Sequence, residues 1–355
     1  MQFLNQPLRA AITSATIALS LASGQSATAQ DMVEAYIQEY PNQEQVRMMN
    51  IWLAENDAGQ FSFTGLVDPT DATVVTPQAT VNYGYNWFSL SEGPAVLSTP
   101  QYGRFFSVSV FDMKHNIPAV IVNPSKPILL TRPGYDMPEG DFTVVEMETD
   151  QGLVLTRMVV VDNLDAVMAL SEEITMDGGA GDMARPVQRF SDGVRERAEH
   201  VIEAMVEVLN PDEAFGKRSG DVGAFSLAAG VKGGQLGTPP ETVRYAQSLT
   251  DDSGELLRGD ATYEVTVPAG IVEDEGYFSV TAYGTDNRLL ISNDQGRYDR
   301  TTYSAEPNAD GTYTITISPD GSGVNGIPTG KDFYLITRAY VPVQGADNQP
   351  KVVKK

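Results

Sequence analysis

The residues able to do chemistry are few. The chain has two histidines and no cysteine, which removes thiol nucleophiles and zinc sites built from Cys or several His. His115 sits in "FDMKHN", just after a strand-like run that ends at Asp112. An Asp three residues before a His can orient an imidazole for general-base work, but no G-x-S-x-G elbow supplies a nucleophile, and turn chemistry explains the same stretch. His200 falls on the polar face of a helix and reads as solvent-exposed. If the chain were an enzyme, acid–base work would fall to Asp, Glu or Tyr, with Asp112 and Asp299 as carboxylate candidates. The catalytic residues are unknown at this level. The acidic loops "TDDSGE" and "SNDQGRYD" lack the EF-hand ligand spacing, and "GVKGGQLG" lacks the Walker spacing, so neither a metal nor a nucleotide cofactor is expected.

Two kinds of binding group remain. "NYGYNWF" begins at Asn82 and places Tyr83, Tyr85 and Trp87 on one face of a strand. Three large aromatics so arranged form either core or a stacking platform for a sugar or aromatic ligand. Arg104 and Arg338 stand in or beside strands, where an arginine needs a carboxylate or an anionic ligand to grip. With so many acids in the chain, the structural carboxylate is the expectation.

The elements that must carry these groups change along the chain. Residues from Asp31 to about Asp57 have helical periodicity, interrupted at Pro41. From Gln60, short strands separated by Pro, Gly and Asp follow one another, among them "FFSVSVF" with Phe106, Val108 and Val110 inward. After Asp162 the helical period returns in "NLDAVMALSEEI" and in "SDGVRERAEHVIEAMVEVLNP", whose stripe is Val194, Ala198, Val201, Met205 and Val208. "GKRSGDVGAFSLAAGVKGGQLG" reads as a linker or ordered loop. The last third alternates as strand again. "DFYLITRAYVP" puts Phe333, Leu335 and Ala339 on one side and Tyr334, Ile336, Arg338 and Tyr340 on the other. Asp310-Gly311 is a hairpin signal, and the tail after Pro342 reads as disordered. Many short strands with turns between them predict sandwiches or barrels rather than a parallel α/β sheet.

Composition bounds the setting. The opening thirty residues have the charged start, apolar run and Ala-Thr-Ala end of a secretory signal peptide, with cleavage expected after Ala29. The expected location is therefore periplasmic or secreted, with no membrane anchor after cleavage. A net charge of −23 disfavours nucleic-acid partners, which require Lys and Arg to neutralise phosphate.

The order of segments resembles a tandem of two domains of unknown function found in exported bacterial proteins, families twelve-fifty-four and twelve-fourteen. The first is carried by the Asn-led aromatic segment, "EGPAVLSTP" and "GRFFSVSVFD". The second is carried by "TPPETVRYAQSLTDDSGELLRGDATYEVTVPAG", "YFSVTAYGTDNRLLISNDQGRYD", "NADGTYTITI" and "GKDFYLITRAYVP". Matched positions include Arg104 and Asp112, then Tyr245, Arg297, Tyr298, Asn325, Arg338 and Tyr340. Two sites depart from the pattern: "NYGYN" keeps Asn82 without the family's Asp and Thr, and "NGIP" has Gly326 in place of Trp.

The resemblance implies two β-sandwich domains, immunoglobulin-like then jelly-roll-like; with the helical periodicities, the expectation is a mainly β protein with an N-terminal helical segment and a helical inter-domain connector. The corresponding boundaries are signal peptide 1–29, helical segment 30–59, first domain 60–178, connector 179–237, second domain 238–342 and tail 343–355. The candidate ligand-binding set is Asn82, Tyr83, Tyr85, Trp87, Arg104, Asp112, His115, Arg297, Tyr298, Asn325 and Arg338. Three roles stay open: binding of a small-molecule or glycan-like ligand, carboxylate-dependent catalysis on an envelope or environmental polymer, and structural assembly, including as a homo-oligomer.

Overall fold

The computed structural model describes residues 28–72 and 75–355; nearly all of the expected signal peptide lies outside them. Thr28 opens the first helix, α1 (Ala29–Leu53), through a capping box: its hydroxyl accepts from the Asp31 N–H, and the Asp31 carboxylate accepts from the Thr28 N–H. The interruption expected at Pro41 does not occur. A proline inside a helix costs roughly 3 kcal/mol, and here α1 runs through it because Tyr36, Ile37, Tyr40, Met48 and Met49 are all buried on one core.

The first half holds β1 (Ser62–Phe63), β2 (Val81–Ser89), β3 (Ala95–Ser98), β4 (Phe106–Asp112), β5 (Ala119–Val122), β6 (Ile128–Thr131), β7 (Thr143–Glu146), β8 (Gln151–Val159), α2 (Leu164–Ser171) and β9 (Thr175–Asp177). An antiparallel sheet of order β1-β2-β8-β4-β5 faces a second sheet, β7-β6-β3-β9. Between them lie Phe88, Phe106, Val108, Val110, Val154 and Met158 from the first sheet and Leu97, Ile128 and Leu130 from the second. The opposite face of the five-stranded sheet is buried too. Tyr83, Tyr85, Trp87, Phe111 and Leu155 lie in the core that includes α1, with Trp52 stacked on Tyr85 at 4.1 Å. A sheet covered on both faces explains why every residue of β2 is buried, polar ones included.

The connector contains α3 (Asp192–Val206), a short 3-10 turn at 211–213 and α4 (Ala224–Gly233). On α3 the buried stripe is Val194, Ala198 and Ile202, while Val201 is exposed, as is Val208 just beyond the helix end. The Gly-rich stretch expected as a loop is partly helix. Ala228, Ala229 and Val231 bury α4, and Gly230 fits because a Cβ there would meet the Ala214 methyl at 2.9 Å.

The second half contains β10 (Val243–Ser248), β11 (Tyr263–Val267), β12 (Val272–Gly284), β13 (Asp299–Thr301), β14 (Tyr313–Ser318), β15 (Ile327–Pro328), β16 (Phe333–Pro342) and β17 (Lys351–Lys354). Sheets β10-β16-β12-β13 and β15-β14-β11-β17 enclose Phe278, Val280, Phe333 and Leu335 against Tyr263, Val265, Ile315 and Ile317. Asp310-Gly311 makes a turn but no hairpin, since β14 pairs with β11 and β15. The tail is not wholly irregular either: β17 pairs with β11 and buries Val352. The described chain is thus mainly β, with four sheets and four α-helices.

Candidate functional site

Two central strands turn matching faces towards each other across the halves of the molecule. In β8, Arg157 lies in register with Tyr83 of β2 on one side and Ser107 of β4 on the other. In β16, Arg338 lies in register with Tyr245 of β10 and Ser279 of β12. Each guanidinium stands over its neighbouring tyrosine, at 5.9 Å from the Tyr83 ring and 6.0 Å from the Tyr245 ring. Strand alternation places these side chains outside the two cores enclosed between paired sheets. They line instead a cavity of about 120 Å³ between the halves.

Both arginines are buried, at 8 % and 5 % exposure. Arg157 donates to Ser109 Oγ at 2.9 Å and to the Leu236 carbonyl at 2.6 Å. Arg338 donates to the Thr76 carbonyl at 2.7 Å, to Gln78 Oε1 at 3.3 Å and to Thr281 Oγ1 at 3.4 Å. All of these acceptors are neutral. Among the described residues no carboxylate comes within 4.0 Å of either group. The structural salt bridge expected for Arg338 is therefore absent. Desolvating a guanidinium without a counter-charge in direct contact costs several kcal/mol, and neither arginine at this cavity has one in direct contact among the described residues.

Behind each arginine sits a buried titratable group. Gln78 bridges Arg338 to Asp299: its Oε1 faces the guanidinium and its Nε2 donates to Asp299 Oδ2 at 3.1 Å. Thr80 donates to the same oxygen. Burial pushes the Asp299 carboxyl up to about 6, against the Thr80 hydrogen bond and the charges of Arg338 and Arg300. Behind Arg157, His115 Nε2 accepts the Leu236 N–H at 3.2 Å, while the Leu236 carbonyl holds Arg157. Burial pushes this imidazole down to about 4, so it is neutral and its proton is on Nδ1. Burial also raises Tyr83, Tyr85 and Tyr340, which stay protonated.

The remaining lining comes from the connector. Val206, Leu209, Ala214 and Phe215 present apolar side chains, and the wall between Gly230 and Gly237 is largely backbone. The sheets thus supply charge and rings, and the connector supplies an apolar cover.

Of the residues singled out from sequence, Tyr83, Tyr85 and Arg338 line this cavity, and His115 stands behind its wall. Trp87 is core under α1. Asn82 ties Gly65 to Ser171 by hydrogen bonds. Asp112 accepts the N–H groups of Lys114 and Asn116 and so closes the turn that carries His115. Arg104 is exposed, 5.7 Å over the Tyr303 ring, with no ion pair among the described residues. Arg297 donates to the Gly321 carbonyl, Tyr298 packs beside Tyr283 and Tyr334, and Asn325 spans Glu306 and Thr314. Gly326 is pressed against the Gly321 carbonyl, which leaves no room for the Trp of the family pattern. Sequence reasoning missed Arg157 and Gln78. The signal for Arg157 was a lone charge inside the apolar run "LVLTRMVVVD", the counterpart of Arg338 in "FYLITRAYVP". Among the described residues no cluster of His, Asp or Glu is arranged to hold a metal, and no helix is long and apolar enough to cross a membrane.

Comparison with known proteins gives a fold and two domain families. Residues 58–178 match "Protein of unknown function (DUF1254)" and residues 242–344 match "Protein of unknown function (DUF1214)". The VPA0106 protein of Vibrio parahaemolyticus superposes with a TM-score of 0.71 at 20% identity, over 92% of this chain and 100% of that one. An uncharacterised protein from Burkholderia cenocepacia superposes with a TM-score of 0.50 at 14% identity, over 92% and 95%. None of the curated proteins matches the sequence.

Proposed function

From the premise that this chain belongs to the proteins that join DUF1254 to DUF1214 in tandem, we propose that its two halves together bind one small anionic molecule in the cavity between them. The observation that carries the reading is the pair of buried guanidiniums, Arg157 and Arg338, which share that cavity and whose hydrogen-bond acceptors among the described residues are all neutral. A folded chain keeps such uncompensated charge where a ligand supplies the counter-charge, and Arg is suited to gripping carboxylate or phosphate.

Binding is favoured over carboxylate-dependent catalysis because no Asp, Glu or His is among the described residues that line the cavity. A volume of about 120 Å³ also suits a one-ring molecule better than a glycan chain. On this reading the paired sheets are an immunoglobulin-like and a jelly-roll-like sandwich, and the signal peptide delivers the site to the periplasm or the medium.

The test is a thermal-shift titration of the full chain with formate, acetate, benzoate and phosphate at constant ionic strength. At least one anion should raise the melting midpoint in a saturable way, as a ligand of the folded state must. Arg157→Met combined with Arg338→Met should abolish the shift. No shift with any anion, or a shift that survives the double substitution, rules the reading out.

A further inference from the structure

We infer that the ligand is a compact monocarboxylate with a single ring-sized apolar body, of which benzoate is the simplest probe. The inference rests on the anion-binding reading and adds to it the identity of the charged head and of the body behind it.

The head follows from donors and charge. A guanidinium has five N–H donors. The protein engages Arg157 through two hydrogen bonds and Arg338 through three, so both keep donors for a ligand. Arg338 has the Asp299 carboxylate one residue behind it across Gln78, and among the described residues no acid is bridged to Arg157 in that way, so one directly unanswered guanidinium faces the cavity. A carboxylate neutralises it, whereas a phosphate dianion overshoots. Carboxylate geometry also matches the planar fork of Arg, which grips it through two parallel hydrogen bonds.

The body follows from the remaining lining. A bare carboxylate or phosphate would leave Leu155, Val206, Leu209, Phe215 and Ile336 facing an unfilled apolar space. The whole cavity, head and body together, is about 120 Å³, close to the roughly 150 Å³ of an engineered apolar cavity that takes benzene. The surrounding rings are fixed before any ligand arrives. Tyr85 is backed by Trp52 with ring planes 23° apart, and Tyr340 is stacked on Tyr277 at 4.4 Å with planes 1° apart. Preset flat walls favour a flat body.

The experiment is isothermal titration of the full chain at neutral pH with benzoate, acetate, benzyl alcohol and inorganic phosphate. Benzoate should bind at least tenfold tighter than acetate, which has the head without the ring. It should also bind at least tenfold tighter than benzyl alcohol, which has the ring without the charge, and more tightly than phosphate. Acetate or phosphate binding as tightly as benzoate overturns the inference about the body and leaves the anion site standing. Benzyl alcohol binding as tightly as benzoate overturns the role of the charged head and, with it, the anion site. Absence of binding by all four overturns both.

Discussion

The two walls of the cavity reach the same arrangement from unrelated strands, yet they differ in what lies behind the arginine. In each, a central strand carries Arg between a Tyr and a Ser, and the guanidinium bonds to a backbone carbonyl and at least one side-chain oxygen. Behind Arg338, Gln78 leads to the acid Asp299; behind Arg157, Leu236 leads to the neutral base His115. The second-half wall therefore holds an internal counter-charge one residue removed from its arginine, and among the described residues no acid is bridged to Arg157 in that way. Positive charge that is unanswered within the protein is concentrated on Arg157, and pH acts on the two walls in opposite senses.

Substituting each arginine by Met, which preserves much of the side-chain volume, should break this equivalence most visibly. Arg338→Met removes the shortest donor to the Thr76 carbonyl, leaves Gln78 Oε1 to Ser279 and Thr281, and takes from Asp299 one of the two cations that favour its ionised form, an expected loss of about 3 kcal/mol. Arg157→Met strands the Leu236 carbonyl but also relieves an uncompensated charge, so its stability should stay within about 1 kcal/mol of the wild type. Urea denaturation of both variants measures the difference. Equal losses would mean that Asp299 is not what distinguishes the walls.

The two titratable groups give a second contrast of nearly the same size. His115 has a folded pKa of about 4, below its unfolded value near 6.5. Between these limits the unfolded chain binds the proton and the folded chain does not, so His115 favours folding above about 6.5 and disfavours it as pH falls towards 4. Asp299 has a folded pKa of about 6, above its unfolded value near 3.8. There the folded chain binds the extra proton, and the stability present at low pH is lost as pH rises through 6. Each effect amounts to roughly 3 kcal/mol, opposite in sign over nearly the same window. Other groups being equal, these two contributions cancel in the wild type. His115→Gln should make stability fall as pH rises from 4 to 6, relative to wild type, and Asp299→Asn should make it rise. Parallel curves for all three proteins would show that neither group is perturbed.

How much of this was legible in the sequence depended on whether neighbours along the chain were also neighbours in space. Strand alternation placed Arg338 and Tyr340 opposite Phe333 and Leu335 correctly, because a period of two is a local property. It grouped Tyr83, Tyr85 and Trp87 on one face but could not say that Trp87 ends in core while the two tyrosines reach a cavity, since what covers that face is α1 and the connector. Arg157 escaped notice because its strand reads as buried, and only the opposing half turns a buried arginine into half of a site. Composition misled at two places. Glycine masked α4, whose helix is held by burial of Ala228, Ala229 and Val231, and polarity masked β17, which is fixed by Val352 and pairing to β11.

The smallest expected effect is on ligand affinity, and it sharpens the contrast between the walls. Asp299 is surrounded by Gln78 and Thr80 from the segment before β2, by Arg338 from β16 and by Arg300 from its own strand. Its protonation below about pH 6 withdraws the acid that Gln78 bridges to Arg338. A unit charge about 10 Å away at an effective dielectric near 20 contributes roughly 1.7 kcal/mol, or somewhat over tenfold in binding. Anion affinity should therefore strengthen by up to about tenfold as pH falls from 7.5 to 5. Over that range His115, with its pKa near 4, remains mostly neutral, and an ordinary ligand carboxylate of pKa about 4 stays mostly ionised. Titrations with benzoate at several pH values, in wild type and Asp299→Asn, measure the effect. The variant should bind with the wild type's low-pH affinity throughout and show a flat profile. A wild-type affinity that does not change with pH, or a variant that retains the full dependence, would move the origin of the response away from the second-half wall.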